Sequence, residues 1–461
     1  MYVTNFPNFD MDQNSLIQDP HGHKLHFSEV LSALSYALDL TEGQPPGHCL
    51  RCCWIGFNIG KELTLPAEAL RDLYYTLLLK DAGCSSNAAR LFQLYGSDDL
   101  TIKHNFKLVD SQKFSEVARF IFKNTGLETN MLEKFQKLAN MVAQGDKLAN
   151  EVIKTRCYRG AAIAKQFGLS NDVSNSIRYL DEHYNGKGRP AGLKGDKIPL
   201  YARVALLAQV ADVFFAVGGP QAASAEVNSR SGTWFDPDIV RCFNQAAKNP
   251  VFWETLIKDR LEDLIVTLEP EAAVYYVTDD QLDIVARAFA DVIDTKSPFT
   301  YGHSSRVTDY TEKIAGQLGL NEDRRRWLRR GALLHDIGKL GVSNSILDKP
   351  GKLTDEEFAR IKLHPKYTEE ILSKISIFKE LALVAGAHHE RLDGRGYHKG
   401  LEGRDICLET RILTVADIYD ALSADRPYRA AMPVEKALAI LEEDRDKAVD
   451  GDCLDALRKI I

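Results

Sequence analysis

The sequence predicts a mostly α-helical protein in which one helical bundle occurs twice in tandem. Three observations carry that expectation. Apolar residues recur at helical spacing along nearly the whole chain, alternating strand patterns are scarce, and one set of landmarks appears twice.

The repeat is read from short matches. Pro46-Gly47-His48-Cys49-Leu50-Arg51 matches Tyr301-Gly302-His303-Ser304-Ser305-Arg306. Lys80-Asp81-Ala82-Gly83 begins 32 residues after His48, and His335-Asp336-Ile337-Gly338 begins 32 residues after His303. Nine residues before each of these histidines stands an aspartate, Asp39 and Asp294. Further along, Asn185-Gly186-Lys187-Gly188-Arg189-Pro190 matches Asp393-Gly394-Arg395-Gly396-Tyr397-His398. The copies are expected at about residues 21–250 and 281–461, with 251–280 as a connector.

Taken in order, Met1 to Pro20 is polar and expected to be irregular. From Leu25 onward Val30, Leu31, Leu34, Ala37 and Leu38 fall on one helical face. Ser231 to Asp238 reads as the closing segment of the first copy, and Phe252 to Leu268 as an amphipathic connecting helix. Ala272 to Thr278 and the glycine-rich loops are the candidates for short extended pieces. Arg324, Arg325, Arg326, Arg329 and Arg330 form a basic run on a helix, which is expected to serve packing or an interface and nothing more.

Composition excludes several classes. A net charge of −7 argues against a surface for polymeric DNA or RNA. The N-terminus has no basic n-region followed by an apolar stretch, and no run of about 20 apolar residues is expected to span a bilayer. Eight cysteines without paired zinc-finger spacing fit reduced thiols in a cytoplasmic protein. Cys49, Cys52 and Cys53 contain one C-x-x-C, read here as packing.

Chemistry concentrates in the second copy. An apolar lead-in carries Leu333-Leu334-His335-Asp336 into the interior, and Lys339 follows one turn later. His303, His364, His388, His389 and Asp417 join His335 and Asp336 to make five histidines and two aspartates. Imidazole and carboxylate suit Fe, Mn, Ni and Zn. Seven such groups converging without a cation would be badly unsatisfied. The count fits a two-metal site bridged by Asp336.

The order H…HD-x-G-K…HP…HHE…D, with the loop His388-His389-Glu390-Arg391-Leu392-Asp393-Gly394-Arg395-Gly396-Tyr397, resembles the HD-GYP branch of the HD phosphohydrolase superfamily. The likeness covers about residues 283–461, and at His398 the family carries proline, so loop shape or base preference is where this chain departs. The resemblance implies a helical HD-type bundle with a binuclear or trinuclear site, Fe or Mn favoured and Ni or Zn acceptable. It assigns His303, His335, Asp336, His364, His388, His389 and Asp417 as ligands, with Asp294 the candidate for a third ion. It implies hydrolysis of a 3′,5′-phosphodiester in a cyclic dinucleotide, with Asp336 and Lys339 at the chemistry. Arg426, Arg429, Gly396 and Tyr397 would then contact substrate. A tandem form with a degenerate first copy looks like the family's 3′,3′-cGAMP phosphodiesterases, which tilts the expectation from cyclic di-GMP toward cGAMP. The alternatives are a mononucleotide or 5′-phosphate hydrolase and a cyclic-dinucleotide-binding regulator.

The first copy differs where the chemistry would lie. Lys80 replaces the histidine before Asp81, Leu180 and Asp181 stand for His388 and His389, and Cys157 stands for His364. Either Gln209 or Asp212 aligns with Asp417. The expectation is a retained fold and a lost metal site, with one metal held by His48 and Asp81 as the lesser alternative. Contact between the copies is expected; a homodimer is left open.

Overall fold

The computed structural model describes residue 17 and residues 24–125, 131–270, 274–425 and 429–461. Arg426, most of the N-terminal stretch and the start of the 272–278 segment therefore lie outside the described residues. Helices dominate, and the extended contacts among the described residues are isolated bridges such as His26 with Tyr276.

Each copy opens the same way. Helices His48–Glu62 and His303–Gln317 both begin after a glycine in the left-handed region, Gly47 at φ 84° and Gly302 at φ 71°. A buried aspartate supports each start. Asp39 accepts from the backbone N–H groups of Gly47 and Cys49, and Asp294 accepts from the N–H and hydroxyl of Ser304. Helices Ala67–Leu79 and Glu322–Leu334 then deliver Lys80-Asp81 and His335-Asp336. The second of these is capped by Asn321, whose side chain accepts from Arg324 N at 2.8 Å.

The glycine two residues past each of these aspartates has a steric reason. A Cβ on Gly338 would lie 2.0 Å from His364 O, and one on Gly83 would lie 1.8 Å from Arg156 O. Only glycine lets the segment after the aspartate press against the next helix. The loops later in each copy also match. Glu182 accepts from Ala191, Gly192 and Leu193 N, as Glu390 does from Lys399, Gly400 and Leu401 N. The Arg189–Pro190 and Tyr397–His398 peptides are both cis.

Two expectations needed correction. The connecting helix is broken into Pro250–Thr255 and Leu261–Val266, with Arg260 at φ 63° between them. Ile257 is 75% exposed there, and the neighbouring Lys258, Asp259 and Arg260 offer nothing apolar to bury across that turn. Helix Leu200–Ser229 is long and apolar enough to cross a membrane by length and composition, contrary to the expectation that no such stretch exists. Gln209 and Asp212 interrupt it without lowering its mean hydropathy enough, and 61% of its apolar window is buried in the molecule. Its backbone leaves helical geometry at Gly218 and Gly219, ahead of Pro220.

The arginine run is packing, as expected. Arg330 is buried against Asp279 and Asp283, Arg326 reaches Asp280 and Asp283, and Arg329 pairs with Glu312. One apolar cluster extends from Leu25 and Val30 through Ile55, Leu207 and Phe289 to Leu340 and Leu381. A second gathers Val307, Ile412, Leu413 and Leu457.

Candidate metal centre

Asp336 stands in the middle of the second copy's centre, 1% exposed. Its Oδ2 lies 3.3 Å from His303 Nε2 and 3.5 Å from His335 Nε2. Its Oδ1 lies 3.3 Å from His364 Nε2 and 3.7 Å from His388 Nε2. One carboxylate thus presents each oxygen to a different histidine pair. Asp417, on helix Leu408–Ser423, closes the first pair with Oδ1 3.3 Å from His303 Nε2. Its Oδ2 lies 3.9 Å from His389 Nδ1.

The tautomers follow from the outer hydrogen bonds. His335, His364 and His388 each face a backbone carbonyl through Nδ1, those of Ala332 (2.8 Å), Ile361 (2.7 Å) and Ala385 (2.5 Å). Nδ1 must donate in each case, so every Nε2 turns a bare lone pair inward. His364 Nε2 and His388 Nε2 are then two acceptors 3.3 Å apart, which cannot hydrogen-bond to each other. His303 Nε2, His335 Nε2 and Asp336 Oδ1 are buried with no hydrogen-bond partner. Leaving such groups uncompensated costs roughly 1–3 kcal/mol each. Divalent cations between these atoms remove the conflict, so the donor set fits the ions that the sequence implies.

Electrostatics point the same way. Burial would raise the carboxyls of Asp336 and Asp417, yet the surrounding histidines, with Lys339 beside Asp336, hold both well below the usual range. Burial pushes His388 well down and His389 to about 3, keeping them neutral and able to ligate. Burial would also lower His303, but Asp336, Asp417 and Asp420 drive it up to about 10, so that corner attracts positive charge strongly.

The remaining sequence candidates fall into place unevenly. Lys339 Nζ donates to Asp336 Oδ2 and is 17% exposed, and the His389 side chain is 21% exposed, so the centre opens to solvent beside these two. The Tyr397 ring packs 4.9 Å from the His389 ring, at the same opening. Gly396 lies against the turn after His389, where a Cβ would meet Glu390 Cα at 2.4 Å. Asp294 is 4% exposed and spends its oxygens on Ser304, the role Asp39 plays in the other copy. Arg429 directs its guanidinium at the carbonyls of Ala421, Leu422 and Ala430.

Asp420 was missed by sequence reasoning. Its Oδ2 accepts from His303 Nδ1 at 2.7 Å while Oδ1 accepts from Arg306 Nε at 2.6 Å, fixing the ring that points Nε2 inward. The signal was present, since Asp417 and Asp420 are three apart on one helix face. The same triad recurs in the first copy: His48 Nδ1 to Asp212 Oδ2 at 2.7 Å and Arg51 Nε to Asp212 Oδ1 at 2.6 Å. Asp212 is therefore the counterpart of Asp420, which leaves Gln209 in the place of Asp417.

Ammonium groups fill the first copy's centre. Lys80 Nζ donates to Asp81 and lies 3.1 Å from His48 Nε2 and 3.4 Å from Gln209 Oε1. Lys107 Nζ is 2.9 Å from Glu42 Oε2 and 3.8 Å from Asp81 Oδ1. Arg156, and not Cys157 as the sequence alignment expected, stands where His364 does, since Gly83 presses on its carbonyl as Gly338 presses on that of His364, and it pairs with Asp181. The trios His48, Cys52, Asp212 and Glu42, Asp81, Cys84 are close enough for an ion, but buried cations already neutralise their carboxylates. Burial keeps Cys52 and Cys84 protonated, well above the thiol range.

A family profile described as HD domain matches residues 128–239 and 287–453. The chain is 52% identical over 434 residues to the 3'3'-cGAMP-specific phosphodiesterase 3 of Vibrio cholerae, covering 94% of each. It is 42% identical over 170 residues to the cyclic di-GMP phosphodiesterase response regulator RpfG of Xanthomonas campestris, 36% of this chain and 45% of that one. The crystal structure of a V. cholerae cyclic GMP-AMP-specific phosphodiesterase aligns with TM-score 0.67 and 47% identity over 94% of this chain and 97% of that chain. The chain belongs to the HD-domain family, in its HD-GYP phosphodiesterase branch.

Proposed function

We propose that the protein hydrolyses one 3′,5′-phosphodiester of a bacterial cyclic dinucleotide to a linear dinucleotide, with 3′,3′-cGAMP preferred over cyclic di-GMP. The observation that carries the chemistry is the bridging geometry of Asp336, with bare histidine nitrogens on both of its oxygens. Similarity over nearly the full length to a cGAMP-specific enzyme supports the base preference. Residues 21–250 and 281–461 are read as the degenerate and working copies.

Two divalent ions, Fe or Mn before Ni or Zn, would be held by His303, His335 and Asp417 on one side and by His364, His388 and His389 on the other, sharing Asp336. When bound, such ions supply Lewis-acid activation of water and neutralise phosphate charge. Asp294, engaged with Ser304, gives little support to a third. Asp420 and the carbonyls of Ala332, Ile361 and Ala385 hold the rings in register. Lys339 sits at the opening with its ammonium on Asp336, placed to offset charge on the phosphate and the departing sugar oxygen. Tyr397, packed against His389 with its ring tilted by 35°, offers an aromatic surface for a base beside the centre. A cytoplasmic setting is supported by eight cysteines that are all free thiols.

Turnover of metal-analysed protein against cyclic di-GMP, 3′,3′-cGAMP and cyclic di-AMP, with products separated by chromatography, tests the reading. Cleavage of cGAMP well ahead of the other two is expected. A metal-replete sample that cleaves none of them ends the phosphodiesterase assignment.

A further inference from the structure

The two segments that flank the working centre are tied together by a carboxylate from the other copy. Asp99 begins helix Asp99–Phe106 in the first copy and is fully buried. Its Oδ1 accepts from Asn344 N at 2.8 Å and from Ser343 Oγ at 3.2 Å. Its Oδ2 lies 3.6 Å from Lys296 Nζ, an ammonium on a residue only 1% exposed. Asn344 in turn donates its side-chain amide to Lys296 O at 2.7 Å.

Both segments lead directly to the centre. Lys339 O accepts from Val342 N at 3.0 Å, and Ser343 follows, so Asp99 grips the chain four residues beyond Lys339. On the other side Ser297 O accepts from Thr300 N and Thr300 O accepts from His303 N, linking Lys296 to the first ligand by consecutive turns. Thr300 Oγ1 also donates to Asp294 O. The first copy is thus built into the wall behind the second copy's Asp336–Lys339 segment. Asp99 also lies 3.9 Å from Lys103, which donates to Thr41 O and Cys84 O beside the ammonium-filled centre.

We propose that Asp99 is a positioning residue supplied by the first copy, holding the 296–303 and 339–344 segments in the register that aligns Lys339 and His303 with the scissile phosphate. The inference rests on the phosphodiesterase reading. A buried ion pair is not needed for stability as such, but removing one partner leaves the other charge uncompensated. The informative variants of the full chain therefore remove both charges. D99A/K296M removes that pair together, leaves Lys103 with Glu42 at 4.0 Å, and loses the acceptor for Asn344, whereas D99N/K296M keeps that acceptor and leaves Lys103 in the same state.

The expected result for D99A/K296M is wild-type metal content, KM within about twofold and kcat lowered about ten- to a hundredfold, the size of effect that misplacement remote from the chemistry produces. D99N/K296M should recover most of that kcat. A D99A/K296M enzyme with wild-type kcat, or a loss of kcat that asparagine does not rescue, overturns the proposal. Wild-type protein assayed alongside keeps the two readings separable, because its failure to turn over any cyclic dinucleotide counts against the phosphodiesterase assignment alone.

Discussion

His303 shows how one ring is prepared for a ligand role by groups that touch no ligand. Its Nδ1 donates to Asp420, and Arg306 braces the same carboxylate by donating to both of its oxygens. Asp420→Ala should free the ring to rotate and lose the tautomer that presents Nε2. Such outer-shell losses cost about 10–100-fold in metal affinity. Metal titration of the chelated variant should show that weakening, and activity should return at raised metal concentration. An affinity equal to wild type would mean that packing alone orients His303. Asp336→Asn probes the bridge itself and should remove both bound metal and turnover, measured as metal content after gel filtration and as kcat. Seven of these groups were visible in the sequence because His and Asp are rare in helical cores. Asp420 also stands in the sequence, three residues after Asp417, but that spacing does not say that its partner is the outer nitrogen of His303.

At the scale of the element, the paired centres separate what the fold needs from what the chemistry needs. Both copies keep the left-handed glycine, the buried aspartate before the helix and the glycine after the second aspartate. These are backbone demands, so the duplication was legible from the sequence. The filling of the first centre was only half legible. Lys80 follows from alignment, but Glu42, Lys107 and Arg156 arrive from other helices, and no spacing announces them. This centre has a consequence for acid stability. Burial, Lys80 and Lys107 hold His48 neutral by lowering it to about 4, against about 6.5 when unfolded. Between those values the unfolded chain binds the extra proton, so stability is lost as pH falls from about 6.5 toward about 4. The limit is on the order of 3 kcal/mol for this one group. Asp39, raised to about 6 by burial, works in the opposite sense over part of that window. The difference between wild type and His48→Gln isolates the histidine. Denaturation midpoints measured from pH 7 to 4.5 should fall more steeply for wild type; parallel curves would show that His48 does not titrate in this way.

For the whole molecule, the copies are successive in sequence but not in the core. The same buried cluster that contains Val30, Ile55 and Leu207 also contains Phe289, Leu333, Leu340 and Leu381. Helix Phe27–Thr41 packs against the 337–341 turn that carries Lys339, and a Cβ on Gly341 would meet Leu40 Cδ1 at 3.5 Å. Phe167 stacks on Phe289 at 6.3 Å between centroids, and Glu29 accepts from Ser376 N at 2.8 Å. None of this could be read from the repeat, because helical periodicity reports that a face is buried without naming what buries it. Cutting the chain at residue 280 would therefore strip the first copy's side chains from Phe289 and from the 337–341 turn that carries Leu340. At about 1.5–3 kcal/mol per buried apolar side chain, uncovering a few of them is comparable with the roughly 5–15 kcal/mol that holds a typical domain together. A fragment of residues 281–461 should then fail to give a cooperative thermal transition and should bind metal poorly, although it contains every proposed ligand. Calorimetry and metal analysis of the fragment beside the full chain would decide the matter. A fragment that melts cooperatively and retains full metal content would show that the second copy carries a sufficient core of its own, and that the shared cluster is contact rather than common foundation.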